Sequence, residues 1–291
     1  MTANAKNGLL LADKQWDNRY LRNSSSILVL NLMPTRKETE RQFLSAFNDL
    51  TGNFELTFLY PKSHHFKGIS KKIVEKTYNS LDQISENHYD GLIITGAPVE
   101  TLPFSQVDYW NELLKIIDWS RSHVKEVLYE CWAAQAGLFY DFEIRKYQLP
   151  KKLFGIFDAT FISKDSKITQ GFENGGILRM PQSRHTQIAL NADELPIGLK
   201  ITATSKKTGP IILESSKFHS TYVSGHPEYS QETLAKEYFR DVNKGLNIEK
   251  PENYFLNEDN TKINYSWRAT SLKIYQNWAN KFVSQKAELS I

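Results

Sequence analysis

The sequence predicts an α/β protein: a mostly parallel sheet with helices on both faces and a small antiparallel β addition in the second half. Three observations carry this. Short continuous apolar runs such as Ile27-Leu28-Val29-Leu30 read as strands buried on both faces, as in parallel sheets. Helical patterns alternate with them, and strand and helix at these intervals imply right-handed crossovers. Beyond residue 150 short strand candidates follow one another with only turns between them, which implies antiparallel pairing.

The elements follow in chain order. Residues 1–26 are polar and weakly patterned and read as an N-terminal arm packed through Trp16 and Tyr20, ahead of one α/β domain over 27–291. The run at Ile27 is the first strand, punctuated by Pro34-Thr35. Residues 35–50 form a helix, with Thr35 as its cap and Phe43, Leu44 and Phe47 at helical spacing. Phe54-Glu55-Leu56-Thr57-Phe58-Leu59-Tyr60 alternates as a second strand, and a helix is expected over 71–86. Gly91-Leu92-Ile93-Ile94-Thr95 is a third strand ended by Gly96-Ala97-Pro98. A helix over 107–124 carries Trp110, Leu113, Leu114, Ile117 and Trp119, and Val127-Leu128-Tyr129 is the fourth strand, leading into Cys131. Later strands are expected over 154–162, 177–179, 201–203, 211–214 and 221–224, with helices over 231–244 and 270–286.

Composition bounds the function. The 291 residues carry 36 Lys+Arg against 33 Asp+Glu, spread along the chain, which argues against a nucleic-acid binder. A 40% hydrophobic and 12% aromatic content supports a real core. The longest apolar runs fall far short of the ~20 residues of a membrane helix, and no signal-peptide core stands at the N-terminus, so a cytoplasmic protein without a membrane partner is expected. A single cysteine excludes a disulfide framework and a multi-thiolate metal site. His64 and His65 are adjacent; neighbouring side chains diverge, so they read as loop residues rather than metal ligands.

Cys131 is the most informative residue. It sits between a strand and the small-residue helix start Trp132-Ala133-Ala134-Gln135-Ala136-Gly137. Such a turn exposes a side chain at the carboxyl edge of a parallel sheet, where these sheets bind ligands. The helix N-terminus favours a thiolate there, and its free N–H groups can hold an oxyanion. A buried inert cysteine is the alternative. In Gly225-His226-Pro227-Glu228 a histidine follows a short apolar strand with a glutamate two residues on, on the same face of an extended stretch. A thiol nucleophile needs a base and an orienting carboxylate, so Cys131, His226 and Glu228 are read as a triad. Gly96-Ala97-Pro98 is either a plain turn or the source of a second oxyanion N–H, from Ala97, beside that of Trp132.

Five ordered motifs then resemble the MetA family of homoserine O-acyltransferases: Asn31-Leu32-Met33-Pro34-Thr35, the stretch from Asp90 through Glu100, Cys131-Trp132-Ala133-Ala134-Gln135-Ala136-Gly137, Gly225-His226-Pro227-Glu228-Tyr229, and Arg240-Asp241 to Gly245-Leu246-Asn247-Ile248. The resemblance covers about residues 27–284 and implies the class I glutamine amidotransferase-like fold. It implies acyl transfer from an acyl-coenzyme A to a small hydroxy amino acid through a thioester on Cys131, with no cofactor, and it suggests a homodimer. It places Arg240 on the acceptor's carboxylate and Lys152 and Ser183 along the substrate site. Glu100 stands where the family pairs glutamate with acetyl-CoA and glycine with succinyl-CoA; a carboxylate there repels the succinyl carboxylate and fills its room. Homoserine is the expected acceptor and acetyl-CoA the expected donor. Serine is one methylene shorter, a difference of only ~1–3 kcal/mol in a pocket, so serine O-acetylation stays open, as does homoserine O-succinylation. The chain departs from the family in its N-terminal arm and at Ala269-Thr270-Ser271-Leu272. A glutamine amidotransferase would share fold and triad, but Glu130 stands where those enzymes usually carry glycine around the elbow. A non-catalytic binding module would have no need of Cys, His and Glu in this order.

Overall fold

The computed structural model describes residues 2–288 except 67, 164, 173–175 and 192–193. Its centre is a 10-stranded sheet. In chain order the strands are β1 (Ala3–Ala5), β2 (Ser25–Leu30), β3 (Phe54–Leu59), β4 (Tyr89–Ile94), β5 (Val124–Glu130), β6 (Lys146–Phe161), β7 (Leu178–Ile188), β8 (Leu199–Ser205), β9 (Gly209–Ser215) and β10 (Ser220–Val223). The helices are α1 (Leu9–Ala12), α2 (Arg36–Asn48), α3 (Lys71–Thr77), α4 (Trp110–His123), α5 (Trp132–Phe142), α6 (Thr233–Asn243) and α7 (Arg268–Glu288).

The strand order is β1-β3-β2-β4-β5-β10-β9-β8-β6-β7. From β1 to β10 every pairing is parallel, and from β10 outward every pairing is antiparallel. The chain thus leaves the parallel half after β5, builds the antiparallel half, and returns through β10 to lie beside β5.

Apolar alternation fixes the two faces. Along β2, Ile27 and Val29 join Phe43 and Phe47 of α2 and Tyr275 and Trp278 of α7 in one core. Leu28 and Leu30 join Leu113 and Ile117 of α4 and Trp132 and Ala136 of α5 in the other. A smaller cluster of Phe154, Ile156, Tyr229, Leu234, Tyr254 and Trp267 underpins the turn after β10. Among the described residues, no helix is long and apolar enough to cross a membrane.

Several details depart from the expectations. The stretch read as an arm supplies an edge strand, β1, and a buried turn of helix, α1, whose Leu9 and Leu10 N–H groups donate to Glu40 at 2.7 and 2.8 Å. Trp16 packs against the core, but Tyr20 is 86% exposed. Thr35 precedes α2 without a side-chain capping bond. Its carbonyl instead accepts from Thr39 N at 3.0 Å. The helix expected over 71–86 stops at Thr77, because Tyr78 turns extended to bury its ring and donate its hydroxyl to Glu40 at 2.6 Å. β6 begins eight residues before the strand expected from 154, since Lys146 to Leu153 carries lysines and Pro150 rather than an alternating pattern.

Candidate active site

β4, β5 and β10 lie side by side with parallel register, Val223 opposite Glu130 and Ile94 opposite Tyr129. Their carboxyl ends therefore deliver Gly96, Cys131 and His226 to one edge of the sheet. Cys131 itself adopts φ 50° and ψ −114°, a conformation costing a non-glycine residue about 1–3 kcal/mol that must be over-determined by its surroundings. Its N–H donates to Val223 O at 2.8 Å, and α5 starts at once behind it. This is the strand-to-helix elbow expected from the sequence. Contrary to expectation, Cys131 is buried, 3% exposed. The turns after β4 and β10 close over it.

Two glycines permit that closure. A Cβ on Gly96 would lie 3.1 Å from His226 Cε1 and 3.2 Å from Cys131 Cβ. A Cβ on Gly225 would lie 2.3 Å from Met180 Cγ and 2.6 Å from Pro181 O, so only glycine lets the turn bearing His226 pass β7. His226 then donates its own N–H to Pro181 O at 3.0 Å.

The His226 ring is fixed on two sides. Nδ1 meets Glu228 Oε1 at 2.7 Å, with both side chains buried. The ring also stacks on Tyr229 at 4.1 Å between centroids. Burial works against a charged imidazole, but the charges of Cys131 and Glu228 and hydrogen bonds to both side chains hold His226 well above its ordinary value. The three residues read as a triad are thus brought together, with His226 between thiol and carboxylate. Trp132 is the first helical residue, so its N–H has no intrahelical acceptor. Ala97 follows Gly96 directly and is buried.

The other candidates form a second cluster. Ser183 Oγ donates to Glu237 Oε2 at 2.6 Å, Tyr229 OH donates to Glu237 Oε1 at 2.7 Å, and Lys152 Nζ stands 3.5 Å from Glu237 Oε2. Tyr229 joins this cluster to the triad, since its ring lies on His226. Arg240 points its fork at its neighbour Asp241, at 2.7 and 3.0 Å, and its side chain is half exposed. A cavity of 510 Å³ adjoins, lined by Lys151, Lys152, Phe154, His185, Asp241 and Leu246 among others. Glu100 Oε1 accepts from His185 N at 3.1 Å.

Three contributors escaped the sequence reading. Glu237 is the hub just described; three residues before Arg240 on α6, it reads in sequence as a surface helix charge. Arg184 is buried, donates among the described residues to neutral oxygens of Gln182, Thr186, Gln187 and Thr208, and lies within electrostatic reach of Cys131. Burial pulls the Lys146 ammonium down to about 8, with Glu100 opposing; it sits 4.6 Å from the centre of the Phe104 ring. The two adjacent histidines do not diverge: His64 and His65 both turn to Asp108, at 3.1 and 3.2 Å. Among the described residues, no group of three or more His, Cys, Asp or Glu is placed to hold a metal ion.

The homoserine O-succinyltransferase family matches residues 4–289. The chain is 42% identical over 266 residues to a homoserine O-acetyltransferase of Petrotoga mobilis, covering 91% of this chain and 85% of that one. It is 41% identical over 263 residues to a homoserine O-acetyltransferase of Geobacillus sp. strain WCH70, covering 90% and 86%. Among solved structures, a glutamine amidotransferase from Thermotoga maritima superposes with a TM-score of 0.59 at 12% identity, over 90% of this chain and 99% of that one, a likeness of fold.

Proposed function

Because the chain belongs to the homoserine O-succinyltransferase family, we propose that it is a homoserine O-acetyltransferase of methionine biosynthesis, which moves acetyl from acetyl-CoA to the hydroxyl of L-homoserine through a thioester on Cys131. The observation that carries the reading is Cys131 at the N-terminus of α5 in line with the buried His226–Glu228 pair.

The chemistry follows from the placement. His226, held above its ordinary value, takes the Cys131 proton and forms an ion pair with the sulfur. The Cys131 sulfur attacks the acetyl-CoA carbonyl, and the N–H groups of Ala97 and Trp132 hold the developing oxyanion. The coenzyme A thiolate leaves and takes the proton from His226. One thioester replaces another, so this half is nearly balanced in energy. Neutral His226 then accepts the proton of the homoserine hydroxyl as its oxygen attacks the acetyl carbonyl on Cys131. The thiolate leaves, and the ion pair is restored. Glu228 holds the ring in the tautomer this needs.

Arg240 grips the acceptor's α-carboxylate, a bidentate task suited to a guanidinium fork. Glu237, between Lys152 and Ser183, offers a carboxylate for its α-ammonium. Arg240→Ala is expected to raise KM for homoserine and lower kcat/KM by about 10²-fold, roughly the strength of a charge-assisted pair, while acetylation of Cys131 in the absence of acceptor is unchanged.

Glu100 sets the donor. Glu100→Gly is expected to raise kcat/KM for succinyl-CoA and to lower the preference for acetyl-CoA, read by release of free thiol with each donor. A wild-type preference for succinyl-CoA would overturn this role. The test of the whole reading is the same thiol-release assay with homoserine and serine as acceptors. Homoserine is expected to lead; a kcat/KM for serine tenfold above it would make the protein a serine O-acetyltransferase. The family resemblance also suggests a cytoplasmic homodimer, which light scattering on the purified chain checks.

A further inference from the structure

We propose that Glu130, the residue immediately before the nucleophile, is a positioning residue for the triad: held as a neutral carboxylic acid, it donates its proton to Glu228 and so fixes the carboxylate that orients His226. The proposal rests on the triad reading above.

Glu130 ends β5 opposite Val223 of β10. That register sets it beside the turn carrying His226 and Glu228. It is fully buried, as is Glu228. One oxygen of each carboxyl has a donor: Glu130 Oε1 accepts from Tyr275 OH of α7 at 2.7 Å, and Glu228 Oε1 faces His226 Nδ1 at 2.7 Å. The other oxygens, Glu130 Oε2 and Glu228 Oε2, are buried and meet no N–H or O–H among the described residues. The two carboxyls nonetheless lie within hydrogen-bonding reach of each other. A bond between two acceptor groups requires a proton, and like charges in contact in a dry site cannot both persist.

The surroundings decide where that proton stays. Glu228 has the imidazole on its other oxygen and gains from remaining negative. Glu130 has only a phenol. Burial and the charge of Glu228 push the Glu130 carboxyl far above the usual range, against smaller opposing effects of Tyr275 and His226. Among the described residues, Tyr229 within reach of Glu228 and Arg268 within reach of Tyr275 also face the pair. The result is one hydrogen-bonded line running from Tyr275 through Glu130, Glu228 and His226 to Cys131. As pH rises and Glu130 loses its proton, Glu228 loses its donor and gains a like charge. His226 is then released from its orientation, and activity falls on the alkaline side.

The discriminating variant is Glu130→Gln, whose amide still donates to Glu228 and still accepts from Tyr275 but cannot ionise. It is expected to keep kcat within about threefold of wild type near neutrality and to extend the alkaline limit of Cys131 acetylation to higher pH. Infrared difference spectra of wild type against Glu130→Gln at neutral pH should show the carbonyl band of a protonated carboxylic acid in wild type only. Glu130→Leu, which fills the space but donates nothing, should lose about tenfold or more in kcat with little change in KM. If Glu130→Leu does not fold, the glutamine variant and the infrared band decide. Absence of the acid band, an alkaline limit unchanged in Glu130→Gln, or full activity in Glu130→Leu overturns the proposal. A wild-type protein that shows the band but takes no acetyl group on Cys131 in a peptide mass measurement instead overturns the triad, and with it the positioning role.

Discussion

Replacement of Cys131 by alanine is expected to remove activity by about 10⁴-fold or more, because in the proposed mechanism every step of transfer passes through its sulfur and the residues of a triad fail together. The cleaner measurement precedes turnover. Incubated with acetyl-CoA alone, wild type should gain one acetyl mass on the peptide containing Cys131, and Cys131→Ala should gain none. Alanine in place of a buried cysteine leaves a cavity smaller than a methylene pair, a cost of about 1 kcal/mol, so the thermal midpoint should move by only a few degrees. An unmodified wild-type cysteine, or an acetyl group found on a serine, would assign the nucleophile elsewhere.

His226→Asn is expected to cost about 10³–10⁴-fold in both acetylation of Cys131 and transfer to the acceptor. Asparagine can still donate to Glu228 and fits the same turn, so the loss is of proton transfer and not of folding. The variant also removes the ionisable ring that lies between Cys131 and Glu228. Because His226 is held above its ordinary value, the stability it contributes through that charge is fully present below about pH 6.5 and fades as pH rises through its folded value. The difference in thermal midpoint between wild type and His226→Asn should therefore narrow on the alkaline side. Residual activity within tenfold of wild type would place the base on another residue.

The parallel half was legible because its strands are buried on both faces and so read as continuous apolar runs, as Ile27 to Leu30 and Leu92 to Ile94 do. Cys131, His226 and Glu228 were legible because a strand end, a small-residue helix start and a two-residue spacing are local features. The second cluster was not. Glu237 and Arg184 matter through partners about 54 and 24 residues away, Ser183 and Thr208, and nothing in the flanking sequence distinguishes either from a solvated charge. The early start of β6 was hidden for a related reason: it pairs with β7 across a register shift between Gln148 and Leu153, and lysines there signal a loop. Tyr78 shows how a tertiary contact cuts short a helix that local propensity would continue.

The three residues of β1 have a colloidal consequence. A parallel sheet ending at β3 would present a six-residue row of unpaired N–H and C=O groups, a template on which another chain could pair and aggregate. Ala3 to Ala5 cover the first half of that row in register with Phe54 to Leu56, and the Asn7 side chain bonds Phe58 N and O beyond it. The new outer edge is only half as long, and two of its three side chains are methyl groups turned inward. Glu40 anchors the segment by holding the first turn of α1. Residues 3–5 thus narrow the stretch of open sheet edge on which a neighbouring strand could pair.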